Sequence, residues 1–280
     1  MENSGVQIKK LIIPAAGAGT RLLPITRVTP KELLRLVDKP VSWYLVDEAY
    51  ESGIRHIIFI INPWKKEIQK YFCDSSGESI LKEFPGLKFS FIETNERFGD
   101  GHAIFLASRM INKKEAFAVT MGDLLSPSEK PFLKQLAKVF KKYQKPVISV
   151  EHVSRRHVDR YGIISPKSSI GRVFLIGDIV EKPPVQQAPS NLAMTGKYIL
   201  TPEIFDYLDR LLKNRKKGQE IRLADALKEY SHERELLALE CSGRHFDTGN
   251  KIGFLKTEVA FGLKHPEIRK EFKKFLKTVI

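Results

Sequence analysis

The sequence is poor in the residues that build disulfide scaffolds, zinc sites and membrane spans. It has only two cysteines, Cys73 and Cys241, far apart and without CxxC spacing, so a disulfide framework and a zinc motif are both excluded. This cysteine usage fits a reducing compartment, and we expect a cytoplasmic protein. No apolar run approaches the roughly 20 residues of a membrane-spanning helix. The first residues, MENSGVQIKKLIIPAAG, pass from an apolar stretch straight into a glycine turn, so we expect no secretory signal.

Histidine is present without the partners that hydrolytic chemistry needs. The seven histidines show no metal-ligand spacing and no accompanying serine or cysteine motif, which leaves a hydrolytic triad unsupported. We expect His102 to pack or cap at a helix start rather than to act in catalysis.

Positive charge is plentiful. The chain has 47 Lys and Arg against 33 Asp and Glu, a net charge of +14. Such a balance favours anionic partners, whether nucleotides, sugar phosphates, nucleic acid or acidic lipid. The basic tracts at 213–217 (KNRKK) and in the last twenty residues lack interleaved aromatic residues, so we interpret them as solvated faces and expect no nucleic-acid partner.

Hydrophobic patterning predicts an α/β fold in the 280 residues. Strand-like and helix-like segments alternate up to about residue 121, which is typical of a Rossmann-like, mostly parallel sheet flanked by helices. From about residue 146 the segments are mainly strand-like, which predicts a smaller antiparallel portion, and the C-terminus is helical. The predicted strands are 8–15, 56–61, 87–93, 116–121, 146–152, 161–166, 172–180, 192–200 and 235–241; the predicted helices are 41–52, segments starting near 64 and 101, 202–213, 222–230 and the end from about 250. We expect one domain over 1–280, with parts at about 8–145, 146–250 and 250–280.

A glycine-rich segment follows the first predicted strand directly: Ala15-Ala16-Gly17-Ala18-Gly19-Thr20-Arg21. Glycines here let backbone N–H groups approach a phosphate or a base edge that a Cβ would keep away. A dinucleotide-binding fingerprint would need glycine where Leu22 stands, and a Walker A loop would need Gly-Lys-Ser/Thr. The glycines alone fit a tight turn without ligand equally well.

The residues after this loop make a ligand-free turn less plausible. Arg21 and Lys31 bring two cations beside a backbone anion nest, an arrangement suited to a polyphosphate. The string GAGTRLLPITRVTPKELLRLVDKP, residues 17–40, resembles the signature of sugar-1-phosphate nucleotidyltransferases, most closely the bacterial UTP:glucose-1-phosphate uridylyltransferases.

Further segments extend the resemblance over about residues 8–265. They are Gly101-His102-Ala103, Gly122-Asp123, Val180–Pro183, Pro189–Tyr198, GQEIRLADAL at 218–227 and Asp247–Lys251. Thymidylyltransferases share the glycine loop, the EKP and the SNLAxTG segments, whereas PKE, GHA and GNK favour the uridylyl branch. A thymidylyltransferase and a catalytically silent, nucleotide-sugar-binding paralogue stay open as alternatives.

The resemblance implies a reaction and a set of roles. UTP and glucose 1-phosphate would give UDP-glucose and pyrophosphate with Mg²⁺ as cofactor, in a homodimer or homotetramer. Carried over by position, the catalytic residues are Arg21, Lys31, Asp123 and Lys182, and the metal ligands are Asp123 and Asp247. The substrate-binding positions are Ala15, Ala16, Gly17, Gly19, Thr20, Thr94, Gly99, Gly122, Gly162, Glu181 and Gly196. By this reading the part at 8–145 binds nucleotide and the part at 146–250 binds sugar. From the residues alone, the two aspartates fit loop or turn positions as well, and Glu181 with Lys182 fits an exposed charge pair.

The chain departs from the family pattern near the base. Thr94 stands where the family usually has Gln, five positions before Gly99, and Asp100 replaces a usual Leu. Because that Gln reads the pyrimidine edge, we expect weaker base selectivity here. Arg27 and Arg35, in place of a common Lys and Pro, keep or add positive charge.

Overall fold

The computed structural model describes residues 7–73 and 80–279. Its strands are β1 Lys10–Pro14, β2 Arg35–Leu36, β3 Lys39–Pro40, β4 His56–Ile61, β5 Lys88–Glu93, β6 Phe117–Thr120, β7 Leu124–Leu125, β8 Val147–His152, β9 Gly162–Ile170, β10 Val173–Glu181, β11 Leu192–Leu200, β12 Leu237–Glu240 and β13 Phe246–Asp247. Its helices are α1 Val41–Glu51, α2 Lys66–Cys73, α3 Asp100–Leu106, α4 Phe132–Tyr143, α5 Ile204–Lys213, α6 Leu223–Glu233, α7 Lys251–Gly262 and α8 Arg269–Val279.

One continuous nine-stranded sheet runs through the protein in the order β5-β4-β1-β6-β11-β8-β12-β10-β9. The strands β5, β4, β1 and β6 run parallel, which confirms the Rossmann-like half predicted from the alternating pattern. From β6 onward the neighbours are antiparallel, except that β8 and β12 are parallel. The predicted antiparallel portion therefore continues the first sheet rather than forming a second one.

Both faces of β1, β4 and β6 are buried, as expected for parallel strands that are nearly unbroken apolar runs, whereas the edge strand β5 is only half-buried. In β1, Leu11 and Ile13 pack into one core, and Ile12 packs into the core on the opposite face. In β4, Phe59 and Ile58 divide between the two cores in the same way. Helices α1, α2 and α4 cover the first face, and α3, α5 and α6 cover the second. This is the layered α/β arrangement expected from sequence.

The helices differ from the prediction at one place. Helix α4 lies in a stretch where no helix is predicted, although Leu133, Leu136 and Phe140 are buried at helical spacing. Helices α7 and α8 confirm the helical C-terminus. No helix within residues 7–73 and 80–279 is long and apolar enough to cross a membrane.

A two-stranded ribbon at the sheet edge joins distant parts of the chain. Strands β7 and β13 are antiparallel, and Asp247 pairs with Leu124. The backbone amide of Thr248 donates to the carbonyl of Asp123 at 2.8 Å, and its hydroxyl donates to the same oxygen at 2.9 Å. The ribbon thereby brings Asp247 beside Asp123.

Candidate active site

The carboxyl ends of the four parallel strands meet at one edge of the sheet. Ala15 follows β1, Lys65 lies shortly after β4, Thr94 follows β5, and Gly122 and Asp123 come shortly after β6. In open α/β sheets this edge is where ligands bind. Most residues predicted for the nucleotide part are thus gathered in one place.

The glycine-rich segment is a loop of unpaired backbone donors. The amides of residues 16–21 have no hydrogen-bond acceptor in the part of the chain that the structure describes. Gly19 has φ +66°, and a Cβ there would lie 3.1 Å from Cγ2 of Thr26, whose hydroxyl donates to the Gly19 carbonyl at 2.9 Å. A run of free amides in a turn of this kind is an anion-binding nest.

Ala15 differs from the residues that follow it. Its amide donates to the carbonyl of Ile60 at 2.8 Å, and its carbonyl accepts from Lys65 Nζ at 2.7 Å. Both backbone groups are therefore engaged inside the protein, and the amides of Ala16 and Gly17 are the donors left for a ligand at this point of the loop.

Asp123 is the electrostatic centre of the nucleotide side. Lys31 Nζ lies 2.7 Å from Asp123 Oδ2, and Arg21 Nη2 lies 3.6 Å from the same oxygen. Burial opposes ionisation of Asp123, but Lys31 and then Arg21 outweigh it and lower the pKa of the carboxyl group. Burial likewise disfavours the charged form of Lys31, yet Asp123 and Glu32 raise its pKa overall. Both groups are therefore charged around neutral pH.

Asp123 and Asp247 face a common point beside Gly249. A Cβ at position 249 would collide with Asp123 Oδ2 and would lie 3.0 Å from Asp247 Oδ1 and 2.7 Å from Arg21 Nη2. Asp247 is oriented by the amide of Gly249 at 2.7 Å and by Asn250 Nδ2 at 2.8 Å. Two carboxylates around one point suit a hard cation that takes its other oxygens from phosphate or water. Within the described ranges, no group of three or more His, Cys, Asp and Glu side chains is arranged to hold a metal.

The predicted sugar-side residues cluster at the ends of β9 and β10. Gly162 is paired with Glu181, and a Cβ at 162 would lie 2.8 Å from Glu181 Oε2. Lys182 follows with φ +48°, and its Nζ lies 3.6 Å from Glu181 Oε1. Its side chain is 56% exposed, so this ammonium group is available to a ligand.

Two more predicted glycines stand where the chain approaches itself closely. Gly196 interrupts the register of β11 at φ +71°, and a Cβ there would collide with Leu124. Gly99 has φ +102°, and a Cβ there would collide with the carbonyl of Ile221. Both glycines therefore position loops, at 121–124 and 98–101, and a contact with substrate is not needed to explain them.

Tyr161 lies between the residues predicted for the sugar side and Asp247, and the sequence analysis missed it. Its carbonyl accepts from the amide of Lys182 at 2.9 Å. Burial first, and then the negative charges of Asp247 and Glu151, raise the pKa of its phenol. Tyr161 is therefore adjacent to Lys182 through its backbone and close to Asp247 through its phenol.

Thr94 sits at the predicted edge but its hydroxyl is turned to its own loop. It is 8% exposed, its amide donates to the carbonyl of Ile61 at 2.9 Å, and its Oγ1 accepts from the amide of Glu96 at 3.1 Å. The same loop is held from outside by Arg215, which stacks over the ring of Phe98 at 3.7 Å. One member of the basic tract at 213–217 is therefore packed, not simply solvated.

The sequence analysis gave no role to a buried ion pair beneath the loop. Lys65 Nζ lies 2.8 Å from Glu32 Oε2, and the two side chains are 1% and 0% exposed. The sequence did contain a signal for this pair. Lys65 comes shortly after a buried strand and an Asn-Pro turn, and a charged residue in a buried position is rarely without a partner.

Comparison with known proteins gives this geometry a class. A family model described as nucleotidyl transferase matches residues 10–261, and the chain belongs to that family. A site that combines free backbone amides, cations and paired carboxylates is suited to the phosphate chemistry of nucleotidyl transferases.

Its relatives narrow the class. The chain is 40% identical over 287 residues to the UTP–glucose-1-phosphate uridylyltransferase of Staphylococcus haemolyticus, covering 98% of this chain and 99% of the relative. It is 39% identical over 288 residues, with the same coverage, to the UTP–glucose-1-phosphate uridylyltransferase 1 of Staphylococcus saprophyticus. A solved UDP-glucose pyrophosphorylase complexed with UDP-glucose matches with a TM-score of 0.83 and 36% identity, over 92% of this chain and 100% of that one. These relatives confirm the resemblance predicted from residues 17–40, and the structural match confirms the fold class.

Proposed function

We propose that this protein transfers the uridylyl group of UTP to glucose 1-phosphate, giving UDP-glucose and pyrophosphate. The observation that carries the proposal is the convergence of Lys31, Arg21 and Asp247 on Asp123, next to the free amides of residues 16–21. The relatives named above, each at or near 40% identity over almost the whole chain, support this choice of substrates.

The reaction is a displacement at the α-phosphorus of UTP. A phosphate oxygen of glucose 1-phosphate forms a new bond to that phosphorus, and the bond to the bridging oxygen breaks, so that pyrophosphate leaves with the electron pair. The nucleophile is already anionic near neutral pH, so no general base is required. The obstacle is to hold two anions in line, which calls for cations and positioned donors.

The residues divide this task between them. The loop amides, Arg21 and Lys31 bind the triphosphate. The exposed ammonium of Lys182 holds the incoming phosphate, and Glu181 accepts hydrogen bonds from sugar hydroxyls. The hydrogen bond from Lys31 to Asp123 fixes the position of this ammonium group.

We further propose that Asp123 and Asp247 hold Mg²⁺, for which hard carboxylate oxygens around one point are suitable ligands. When bound, the ion would offset the negative charge that accumulates on the phosphate oxygens. The chain's own cations, Arg21 and Lys31, lie at the same carboxylate and serve the same electrostatic purpose.

The test is pyrophosphate release with glucose 1-phosphate and each of UTP, dTTP, CTP and ATP, with chromatographic identification of the sugar nucleotide. We expect UTP to be the best donor and UDP-glucose to be the product. A preference for dTTP would reassign the protein as a thymidylyltransferase. Absence of turnover with every donor, in a folded protein, would favour the silent paralogue.

We also propose a single functional domain that assembles into a homo-oligomer. Ile252 and Leu255 on α7 are 59% and 60% exposed and, with Val259, form an apolar stripe at helical spacing. Light scattering after size-exclusion chromatography tests this, and a monomer at all concentrations would contradict it.

A further inference from the structure

The ion pair of Lys65 and Glu32 is the most deeply buried charge cluster next to the proposed nucleotide site. Lys65 Nζ donates to Glu32 Oε2 at 2.8 Å, to Glu32 Oε1 at 3.0 Å and to the carbonyl of Ala15 at 2.7 Å. An ammonium group has three protons, so its donors are fully used. Neither side chain reaches solvent, and neither is placed to touch a substrate.

The pair links four segments that carry the proposed nucleotide contacts. Lys65 comes from the turn after β4, and its bond to Ala15 fixes the start of the glycine-rich loop. Glu32 is the neighbour of Lys31 in the short 3-10 turn Lys31–Leu33. A Cβ at Gly122 would lie 3.5 Å from Cγ of Glu32, so the Glu32 side chain runs directly beneath the backbone that leads to Asp123.

Stability alone does not account for such a pair. Removing two charges from water is costly, and apolar replacements of buried pairs are often neutral or stabilising. Burial lowers the pKa of Lys65, and the charge of Glu32 opposes that shift. An apolar pair could fill the space, but it would leave the Ala15 carbonyl without its donor.

We infer that Lys65 and Glu32 are positioning residues for the nucleotide: together they fix the backbone of Ala15 and the turn of Lys31, and so aim the amides of Ala16 and Gly17 at the base and triphosphate. The inference rests on the proposed function, because it takes a nucleoside triphosphate as the ligand of this loop. It gives a role to two residues that the family resemblance did not assign to the site.

The experiment compares two double variants. In the first, Glu32→Leu with Lys65→Met removes the pair without leaving an unpaired charge. In the second, Glu48→Leu with Lys197→Met removes a matched buried pair, 2.7 Å apart and 8% and 1% exposed, that bridges α1 and β11. UTP affinity is measured by calorimetry, and kcat/KM is measured for UTP and CTP.

We expect the first double variant to fold, to bind UTP about tenfold or more weakly and to discriminate less between UTP and CTP, because the Ala15 carbonyl loses the charge-assisted hydrogen bond that holds the loop in position. Its KM for glucose 1-phosphate should stay near the wild-type value. The second should keep wild-type UTP affinity and nucleotide selectivity. A merely structural role would lower the active fraction for all substrates alike without changing selectivity.

Unchanged UTP affinity and selectivity in the first variant, or equal losses in both, would overturn the inference. If the wild-type protein binds UTP but releases no pyrophosphate, the proposed function fails, and the calorimetric comparison still decides the inference. If the wild-type protein binds no UTP, both fail. Should the first double variant unfold, Glu32→Gln with Lys65→Met against Glu48→Gln with Lys197→Met gives the same comparison, because each pair still loses its lysine and no charge is left unpaired.

Discussion

The parallel and antiparallel halves of the sheet differ in how their lysine side chains are held. On the parallel half, Lys31 is 16% exposed and already bonded to Asp123 at 2.7 Å, above the buried pair of Lys65 and Glu32. On the antiparallel half, Lys182 is 56% exposed and lies 3.6 Å from Glu181. Lys31 is therefore held by a direct hydrogen bond inside the protein, whereas Lys182 is open to water; Arg21, although on the parallel half, is 63% exposed and resembles Lys182 in this respect.

This difference predicts how kcat and KM respond when the contact of Lys31 with Asp123, or the side chain of Lys182, is changed. Groups held in place beforehand stabilise charge in the transition state without reorganisation, so their loss lowers kcat. An exposed cation mainly attracts and holds its ligand, so its loss raises KM for that ligand. The predictions below test this division, starting with the largest effect.

Asp123→Asn should lower kcat by roughly a thousandfold, because the amide removes charge at the point where cation and phosphate meet. The circular dichroism spectrum should be unchanged, since the side-chain volume is the same. The matched control is Asp178→Asn. Asp178 Oδ1 lies 2.9 Å from His232 Nε2, and neither residue is assigned to the site. Activity of Asp123→Asn within a few-fold of wild type would refute its role.

Lys182→Ala should raise KM for glucose 1-phosphate by about tenfold or more while changing KM for UTP little, since one charge-assisted contact to the acceptor phosphate is lost. Steady-state kinetics with each substrate varied in turn measure this. Equal effects on the two KM values would remove the distinction between the halves at this residue.

Thr94→Gln should increase the preference for UTP over CTP by roughly threefold to tenfold, the value of about one hydrogen bond to a neutral group, because uracil and cytosine differ at the edge that the new amide would face. The structure adds a condition, because the Thr94 hydroxyl accepts from the backbone amide of Glu96 and the substitution removes that acceptor. The ratio of kcat/KM for the two nucleotides decides it, and an unchanged ratio would place Thr94 away from the base edge.

The substitution Asp100→Asn has the smallest predicted effect, and it concerns stability rather than catalysis. Burial raises the pKa of its carboxyl group to about 6, with the amide of Leu223 opposing and the charge of Glu181 adding to the shift. The folded form then holds the proton more tightly than the unfolded chain, so the stability should fall as pH rises from about 4 through 6. Asp100→Asn, which keeps an acceptor for Leu223, should gain a few degrees in Tm relative to wild type across that window. A Tm difference that is constant from pH 4 to 8 would contradict this.

Local sequence patterns predicted much of the fold. The apolar run before Gly17 and the segment HIIFII became β1 and β4, and the parallel half follows from their alternation with helices. Helix α4 was missed although its apolar spacing was legible. The ribbon of β7 and β13 left no pattern, because strands of two residues are too short to show one.

The site residues that lie together in one sequence motif could be predicted from the sequence. Arg21 and Lys31 follow the glycine loop within a single string and are predicted to bind the triphosphate; their contacts with Asp123 were not part of that prediction. The pairing of Asp123 with Asp247 depends on strands far apart in the chain, and it was expected from the resemblance alone. The role of Ala15 could not be foreseen, because the lysine that takes its carbonyl comes from another strand end.

The most direct test of the account is the fate of the acceptor's phosphate oxygens. Glucose 1-phosphate labelled with oxygen-18 throughout its phosphate group is incubated with UTP, and the products are analysed by mass spectrometry. Attack by that phosphate on the α-phosphorus predicts that all of the label is found in UDP-glucose and that pyrophosphate is unlabelled. Label in inorganic phosphate or pyrophosphate, or a failure to form UDP-glucose, would contradict the proposed reaction.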